Sequence, residues 1–542
     1  MTIKGQLLRS ASVITLVTLI SRICGYLRDQ RVALLLGTSP AADSFVLAFR
    51  VPTLIRRMTA EGSLGASFIP IFTGYLRNRT RAAAWDFAQK IFWDMAVVLA
   101  VLVALGVVFS RQIIGLFTIF SGNAAHWELA VSLNRIIFPS IFFLGLAAVA
   151  SAILNSYHVF AIPAATSIFF NLSFIAFSFP FLYRPVLRFV SGNLQTPAVA
   201  LGIGILVGTF LQLAIQLPAL AKRGMKFPVS VSVSDPGVRQ FGRLMGPSFF
   251  GMGVYQINLF VDTLFATSSR MPSGSIMSLY VADRVMQLVL GSYAIAMSTA
   301  ILPTMSHQLA AGKLGEMKHT FGFALRIVSF ITIPAAVGLV LLRSPIILVL
   351  FQHGHFVAES TALTANALLY YSLGLPAFAA IKLITPMYYS AQDTATPARV
   401  GAYALGANVL LNAVFLLFAF RYLSNGSPAL ASSLAAYFNF ALLFLFFRKR
   451  YGPLGFRGVA ASLGKMALCA VAMAIVTYAA LHAADFSAVR HLLVRAGMLA
   501  GMIVGSVAVY LGLAWLLRCE ELFEFLLLVR RSDAAVAGEA EF

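Results

Sequence analysis

Residues 21–61 hold an unusual density of charge: Arg22, Arg28, Asp29, Arg31, Asp43, Arg50, Arg56, Arg57 and Glu61. The sequence on either side is apolar. An arginine placed at a bilayer centre costs roughly 2.5–3.5 kcal/mol even on a lenient insertion scale. Facing several to lipid would cost on the order of 10 kcal/mol, so these side chains must look into a water-filled or protein-lined interior. What a cluster of guanidinium groups binds there is an anion. The planar fork of arginine stays charged when buried and meets phosphate or carboxylate oxygens two at a time.

The elements that must position this cluster are membrane helices. The chain has 542 residues, of which 60% are hydrophobic and only 11% charged. Apolar runs of 18 or more residues recur along its length, which predicts an all-α polytopic membrane protein. Hydropathy and helix breakers place about fourteen spans, near 10–36, 41–74, 84–110, 129–154, 160–183, 196–221, 241–267, 274–306, 319–342, 359–390, 397–420, 427–447, 460–484 and 491–517. The second is too long for one straight crossing and should kink at Pro52. Gly25, between Arg22 and Arg28, permits a break in the first. The net charge of +21 would suggest nucleic acid in a soluble chain; here it is a topology signal and a match for anionic lipid, and no nucleic-acid partner is expected. With Arg77, Arg79, Arg81, Lys222, Arg223, Lys226 and Arg448 to Arg450 on one side, both termini are expected in the cytoplasm.

A repeat at an offset of about 234 residues organises the spans. Phe49-Arg50-Val51 is echoed by Asp283-Arg284-Val285, and Pro70 by Pro303. Ala161-Ile162-Pro163-Ala164 is echoed by Ala395-Thr396-Pro397-Ala398. Six spans per half predict two lobes in parallel repeat, residues 1–225 and 226–450, followed by an added pair at 451–529 and a short polar tail at 530–542. Arg284 is then the partner of Arg50, and two lobes each offering arginine suit a diphosphate. Asp43, Arg50 and Arg57 fall seven apart on nearly one stripe, with Asp43 placed to neutralise an arginine. Because the Pro52 kink interrupts that stripe, geometry does not separate Arg56 from Arg57.

Asp262 with Asn408 and Asn412 offers carboxylate and amide oxygens to a hard cation such as Na⁺, or alternatively hydrogen-bonds helices together. His353-Gly354-His355 has metal-like spacing with one nearby carboxylate, Glu359, and is not read as a metal site. Cys24, Cys469 and Cys519 show no disulfide or CxxC pattern. There is no GxxxxGK[ST], no nucleophile–base set and no loop long enough for a soluble catalytic domain, so neither ATP hydrolysis nor another enzyme activity is expected.

These residues resemble a known family. Ser21-Arg22 with Gly25 and Arg28-Asp29, then Asp43, then Arg50-x-Pro52-x-Leu54-x-Arg56-Arg57 and Ala60-Glu61-Gly62 are similar to the MurJ (MviN) lipid II flippases. Ala282-Asp283-Arg284, Leu302-Pro303 and Gln392-Asp393-x-x-Thr396-Pro397 fit as well. The resemblance runs from the first helix to the twelfth. It implies fourteen helices of the multidrug/oligosaccharidyl-lipid/polysaccharide (MOP) exporter fold, with the final pair forming a groove for an undecaprenyl tail. It also implies that Arg22, Arg28, Arg50, Arg56 and Arg284 engage a diphosphate with Asp43 close by, and that Ser21, Gly25 and Glu61 lie at a gate. The implied cargo is undecaprenyl-diphosphate-linked disaccharide-pentapeptide, moved across the bacterial inner membrane by alternating access. Na⁺ is the candidate coupling ion, no other cofactor is implied, and the further partners are membrane lipids and other cell-wall synthesis proteins. The competing readings are a flippase for another polyprenyl-diphosphate glycan, such as an O-antigen unit, and a drug/cation antiporter of the same fold. An arginine-lined cavity disfavours the latter because it would repel a cationic drug.

Overall fold

Proline, glycine and serine set where the helices stop and restart. The computed structural model describes residues 3–58, 64–121, 127–188, 196–232, 234–452, 456–484, 486, 489 and 491–524. Among these, regular structure is helical and no strand occurs. The chain divides into two compact units, residues 1–277 with 353–357, and residues 278–352 with 358–542.

The first unit holds α1 (Ile3–Leu36), α2 (Pro40–Met58), α3 (Leu64–Asn78), α4 (Arg81–Val108), α5 (Ser110–Phe117), α6 (Glu128–Ile137), α7 (Ser140–Ser156), α8 (Ala161–Ala176), α9 (Pro180–Arg188), α10 (Pro197–Ala214), α11 (Leu217–Ala221) and α12 (Pro236–Ala266). The second holds nearly all of α13 (Ser275–Ala310), with α14 (Leu314–Phe351), α15 (Ala358–Ser390), α16 (Ala395–Val414), α17 (Phe420–Leu423), α18 (Ser427–Tyr451), α19 (Phe456–Ala483) and α20 (Leu492–Leu516). The described residues of the stretches expected to span are largely helical, and those near 41–74, 129–154, 160–183 and 196–221 are each divided between two helices. Among the described residues, eight segments are long and apolar enough to cross a membrane by length and composition, with 395–451 counted as one. The units part at Met277, which places α12 in the first unit, whereas the repeat places it in the second lobe.

One expectation about breaks is corrected: helix α1 runs unbroken through Gly25. Helix α2 keeps Pro52 within it and continues to Met58. Proline removes one donor and crowds the preceding turn, and next to it Thr53 Oγ donates to the Phe49 carbonyl at 2.8 Å. The real punctuation is Gly37-Thr38-Ser39-Pro40. Gly37 follows α1 with φ of +55°, the left-handed stop that glycine adopts without penalty. Ser39 Oγ then accepts from Ala42 N at 3.2 Å, and Pro40 takes the first helical position, where no amide is missed.

In the first unit an aromatic cluster from α3, α4 and the end of α7 forms the core. Tyr75 stacks on Phe87 at 4.8 Å and Trp85 on Tyr157 at 5.4 Å, with Phe68 and Phe72 buried between them. The segment leading to α12 is fastened to α4: Asp94 accepts from Ser232 N at 2.9 Å and Lys90 meets Asp235 at 3.0 Å. Asp235 also caps α12, accepting from Gly237 N at 2.8 Å. In the second unit α14 packs on α15, α15 on α18, and the added pair α19–α20 on α14. That last contact buries Phe330, Met466, Met473 and Tyr510, and the Tyr510 hydroxyl donates to the Phe330 carbonyl at 3.0 Å.

Around the end of α1 the packing is backbone on backbone. His355 N donates to the Leu34 carbonyl at 2.9 Å. A Cβ on Gly37 would strike the His355 carbonyl, and one on Gly274, at φ +86°, would strike the Thr38 carbonyl. Gly274→Ala therefore meets both a forbidden backbone region and a clash, and should lower stability by about 2 kcal/mol or more, read as a drop in melting temperature of the detergent-purified chain.

Candidate functional site

Helix α1 presents two faces. Leu16, Leu19, Ile20, Ile23 and Leu27 form an exposed apolar stripe, while Asp29, Val32, Ala33 and Leu36 are buried. Arg28 lies between them with 12% of its side chain exposed. Its Nε and Nη2 donate to Asp29 Oδ1 at 3.0 and 2.7 Å, and its Nη1 donates to Asn171 Oδ1 at 3.0 Å. The rings of Phe170 and Phe174 each lie 5.8 Å from the guanidinium carbon. A charge withdrawn from water needs a counter-charge and satisfied donors, and α8 supplies most of that shell.

Asn171 also donates to the Ser21 carbonyl at 3.2 Å. It is the residue that sequence reasoning missed; its signal was a polar amide alone in the apolar stretch Ile168–Leu172. It passes beside Gly25, where a Cβ would lie 3.7 Å from Asn171 Nδ2, an ordinary contact, so the helix runs through this position without a break and without needing glycine there. Ser21 is half-buried and Arg22 exposed on the same helix. Arg31 caps the end of α8: its Nε and Nη2 donate to Ser178 Oγ and O at 2.9 and 3.1 Å, and it stacks over Phe179.

Two residues of α2 differ from expectation. Asp43 accepts from Gly274 N at 2.7 Å and from Met277 N at 2.8 Å, so both oxygens serve the first turn of α13 rather than an arginine. A carboxylate at a helix start satisfies orphan donors and the positive end of the dipole. Arg50 donates through Nη1 to the Leu259 carbonyl at 2.9 Å and to Thr263 Oγ, which joins α2 to α12 and spends the fork on protein acceptors. The side chain of Arg56 and the whole of Glu61 lie outside the described residues.

In the second unit Arg284 is half-buried, its guanidinium carbon 4.9 Å from the Tyr280 ring centre one turn earlier. Asp262, in the first unit, is buried, as are Asn408 and Asn412 in the second. Asn412 Nδ2 donates to the Asn408 carbonyl and Oδ1 at 3.0 and 3.2 Å, and Asn408 Nδ2 to Ser432 Oγ at 3.3 Å. These amides join α16 to α18, and as placed they do not turn both oxygens toward a cation. The His353–His355 turn is packed by backbone contacts against Leu34. Asp393 begins α16: it accepts from Thr396 N at 2.9 Å and Thr396 Oγ at 2.8 Å, and pairs with Arg450 at 2.6 Å. The Thr396 amide holds the Asp393 carboxyl below its ordinary value, with partial burial opposing and the Thr396 hydroxyl and Arg450 assisting.

Two membrane-helix units carrying half-buried arginines have the fold also seen in transporters of the MOP superfamily. An inward-facing multidrug-resistance MATE transporter of that superfamily superposes with TM-score 0.66 at 14% identity, covering 82% of this chain and 99% of that one, a likeness of fold alone. A lipid II flippase MurJ structure in an inward closed conformation fits better, at TM-score 0.74 and 26% identity over 92% of this chain and 98% of that one. The family profile of lipid II flippase MurJ matches residues 32–496. Relatives carrying that name include one from Vibrio cholerae, 36% identical over 82% of this chain and 83% of its own length. Another, from Rickettsia prowazekii, is 30% identical over 94% and 98%. The chain belongs to the MurJ family.

Two measurements follow from this geometry. Gly25→Ala fits the space beside Asn171 and improves helix propensity, so it should leave stability unchanged or raise it by up to about 1 kcal/mol in thermal unfolding; a marked loss would restore the break. For Asp393 the folded value lies below the unfolded one, so its contribution is complete above about pH 4 and is lost as pH falls through the lowered value. The melting difference between wild type and Asp393→Asn should shrink on acidification across that window.

Proposed function

We propose that this chain is a transporter rather than an enzyme, and that it carries lipid II from the cytoplasmic to the periplasmic leaflet of the bacterial inner membrane by alternating access. The observation that carries the reading is the family match across residues 32–496, joined to the arginine shell on α1. The proposal includes fourteen crossings with both termini cytoplasmic, lobes at 1–225 and 226–450, and a lipid-tail groove in 451–529. A flippase for another polyprenyl-diphosphate glycan is the second reading, and the same arginine chemistry would serve it.

In this reading Arg28 is the central ligand. Its fork rests on Asp29 Oδ1, and a diphosphate oxygen arriving there would take over from the carboxylate without leaving the cation bare at any stage. Asn171 fixes the guanidinium from the opposite edge. Arg22, Arg56 and Arg284 share the ligand's charge, Ser21 and Glu61 lie at the gate, and Asp43 and Arg50 act by positioning α13 and α12. Outward movement of anionic cargo is favoured by about 2.3 kcal/mol per elementary charge at 100 mV, inside negative. A Na⁺-driven return would require Asn408 and Asn412 to exchange their mutual hydrogen bonds for the ion.

The test is depletion in the host with external labelling or cleavage of lipid II in intact cells. Depletion should trap lipid II inside. Arg28→Ala and Arg284→Ala should restore about 10- to 100-fold less external lipid II than wild type, the worth of one charge-assisted contact. Arg111→Ala, which breaks only an exposed pair with Glu128, should restore it fully. Unchanged lipid II access with another glycan trapped would keep the fold and change the cargo.

A further inference from the structure

The first turns of α14 carry Gly315, Lys318, His319, Gly322, Phe323 and Arg326, spaced by threes and fours along one face. Opposite lie Gly458 and Val459 at the start of α19, and between the two helices, wholly within the second unit, is a cleft of about 380 Å³. Small residues keep it open. A Cβ at Gly322 would lie 3.8 Å from Val459 Cγ2, and one at Gly458 would meet nothing within 4 Å. Exposure falls along the stripe, from exposed His319 through half-buried Lys318 to Arg326, whose side chain is 14% exposed.

The charges sort themselves. Arg326 is engaged by Glu520 at 2.9 Å and Glu521 at 3.3 Å, and Glu316 by Lys313 at 2.8 Å. Glu524 lies on the same turn as Glu521, on the Arg326 and His319 side. Among the described residues Lys318 and His319 form no ion pair with an acid. Lys318 Nζ lies 3.2 Å from where a Cβ on Gly452 would sit, beside the last turn of α18 with Arg448, Lys449 and Arg450. A basic rim above an apolar wall, between two helices that continue as membrane spans, has the form of a lipid headgroup pocket.

We propose that this cleft binds an anionic membrane phospholipid, its headgroup phosphate on Lys318 and His319 and an acyl chain along Phe323 and Val459. Charge complementarity selects the anionic lipid over a zwitterionic one, and the apolar wall selects a lipid over a free anion. The bound lipid fills the gap between α14 and the added helix pair and fastens them together.

The test uses the full chain in detergent, titrated with dioleoyl-phosphatidylglycerol and read by thermal unfolding and native mass spectrometry. Dioleoyl-phosphatidylcholine, inorganic phosphate and undecaprenyl diphosphate form the comparison arms. Wild type should be stabilised by phosphatidylglycerol. The double variant Lys318→Gln/His319→Gln and the cleft-filling Gly322→Leu should each weaken that response by about tenfold or more. The two variants reach the cleft differently, one through charge and one through volume, so misfolding of one leaves the other decisive. Equal responses in wild type and both variants would overturn the site. Equal stabilisation by phosphatidylcholine would overturn anionic selection, and full stabilisation by inorganic phosphate would overturn a lipid occupant. Displacement of phosphatidylglycerol by an equimolar amount of undecaprenyl diphosphate would make the cleft a subsite for the cargo and overturn the present assignment.

Discussion

A guanidinium group inside a membrane protein must be held at every moment, because the cost of leaving it bare exceeds what any single packing contact returns. Arg28 shows how that requirement spreads outward. Its counter-ion is its own neighbour, Asp29, and its third bond comes from Asn171 on α8. For that bond to form, α8 must lie close along α1, with Asn171 beside Gly25. The two phenylalanines of α8 then cover the flat faces of the group. The same demand recurs at Arg31 and Arg50, each of which ends on a backbone carbonyl of a neighbouring helix. Where these arginines lie therefore decides which helices pair in the first unit.

Much of this was written plainly in the sequence. The apolar runs gave the helices, because helix formation follows local pattern, whereas the compact units part at Met277 rather than at the 225/226 boundary expected from the shared Arg50/Arg284 motif. The failures have physical causes of their own. Gly25 looked like a break because glycine's intrinsic helix propensity is poor, yet packing against Asn171 overrides propensity. Asp43 looked like an arginine partner because opposite charges lay near it in sequence. The competing claim, two backbone amides at the start of a helix 230 residues away, leaves no trace in a charge pattern. Asn171 was easily passed over for the opposite reason: a lone amide in an apolar run is a faint signal without a motif, and its meaning lies in what it touches.

The architecture by itself says little about cargo. A MATE transporter shares it at 14% identity, and one fold serves many ligands. What separates this chain from such neighbours is its family relationship, the match to lipid II flippase MurJ over residues 32–496.

The junction around Gly37 and Gly274 is closed by hydrogen bonds and close contacts of peptide groups and by one carboxylate. Parting such a seam exchanges hydrogen bonds to protein for hydrogen bonds to water, a swap worth only about 1 kcal/mol per bond. Parting an equal area of interlocked leucines would instead expose oily surface at about 25 cal/mol for every Å². The amide contacts are thus the more readily exchanged part of the seam that holds the end of α1 against the start of α13.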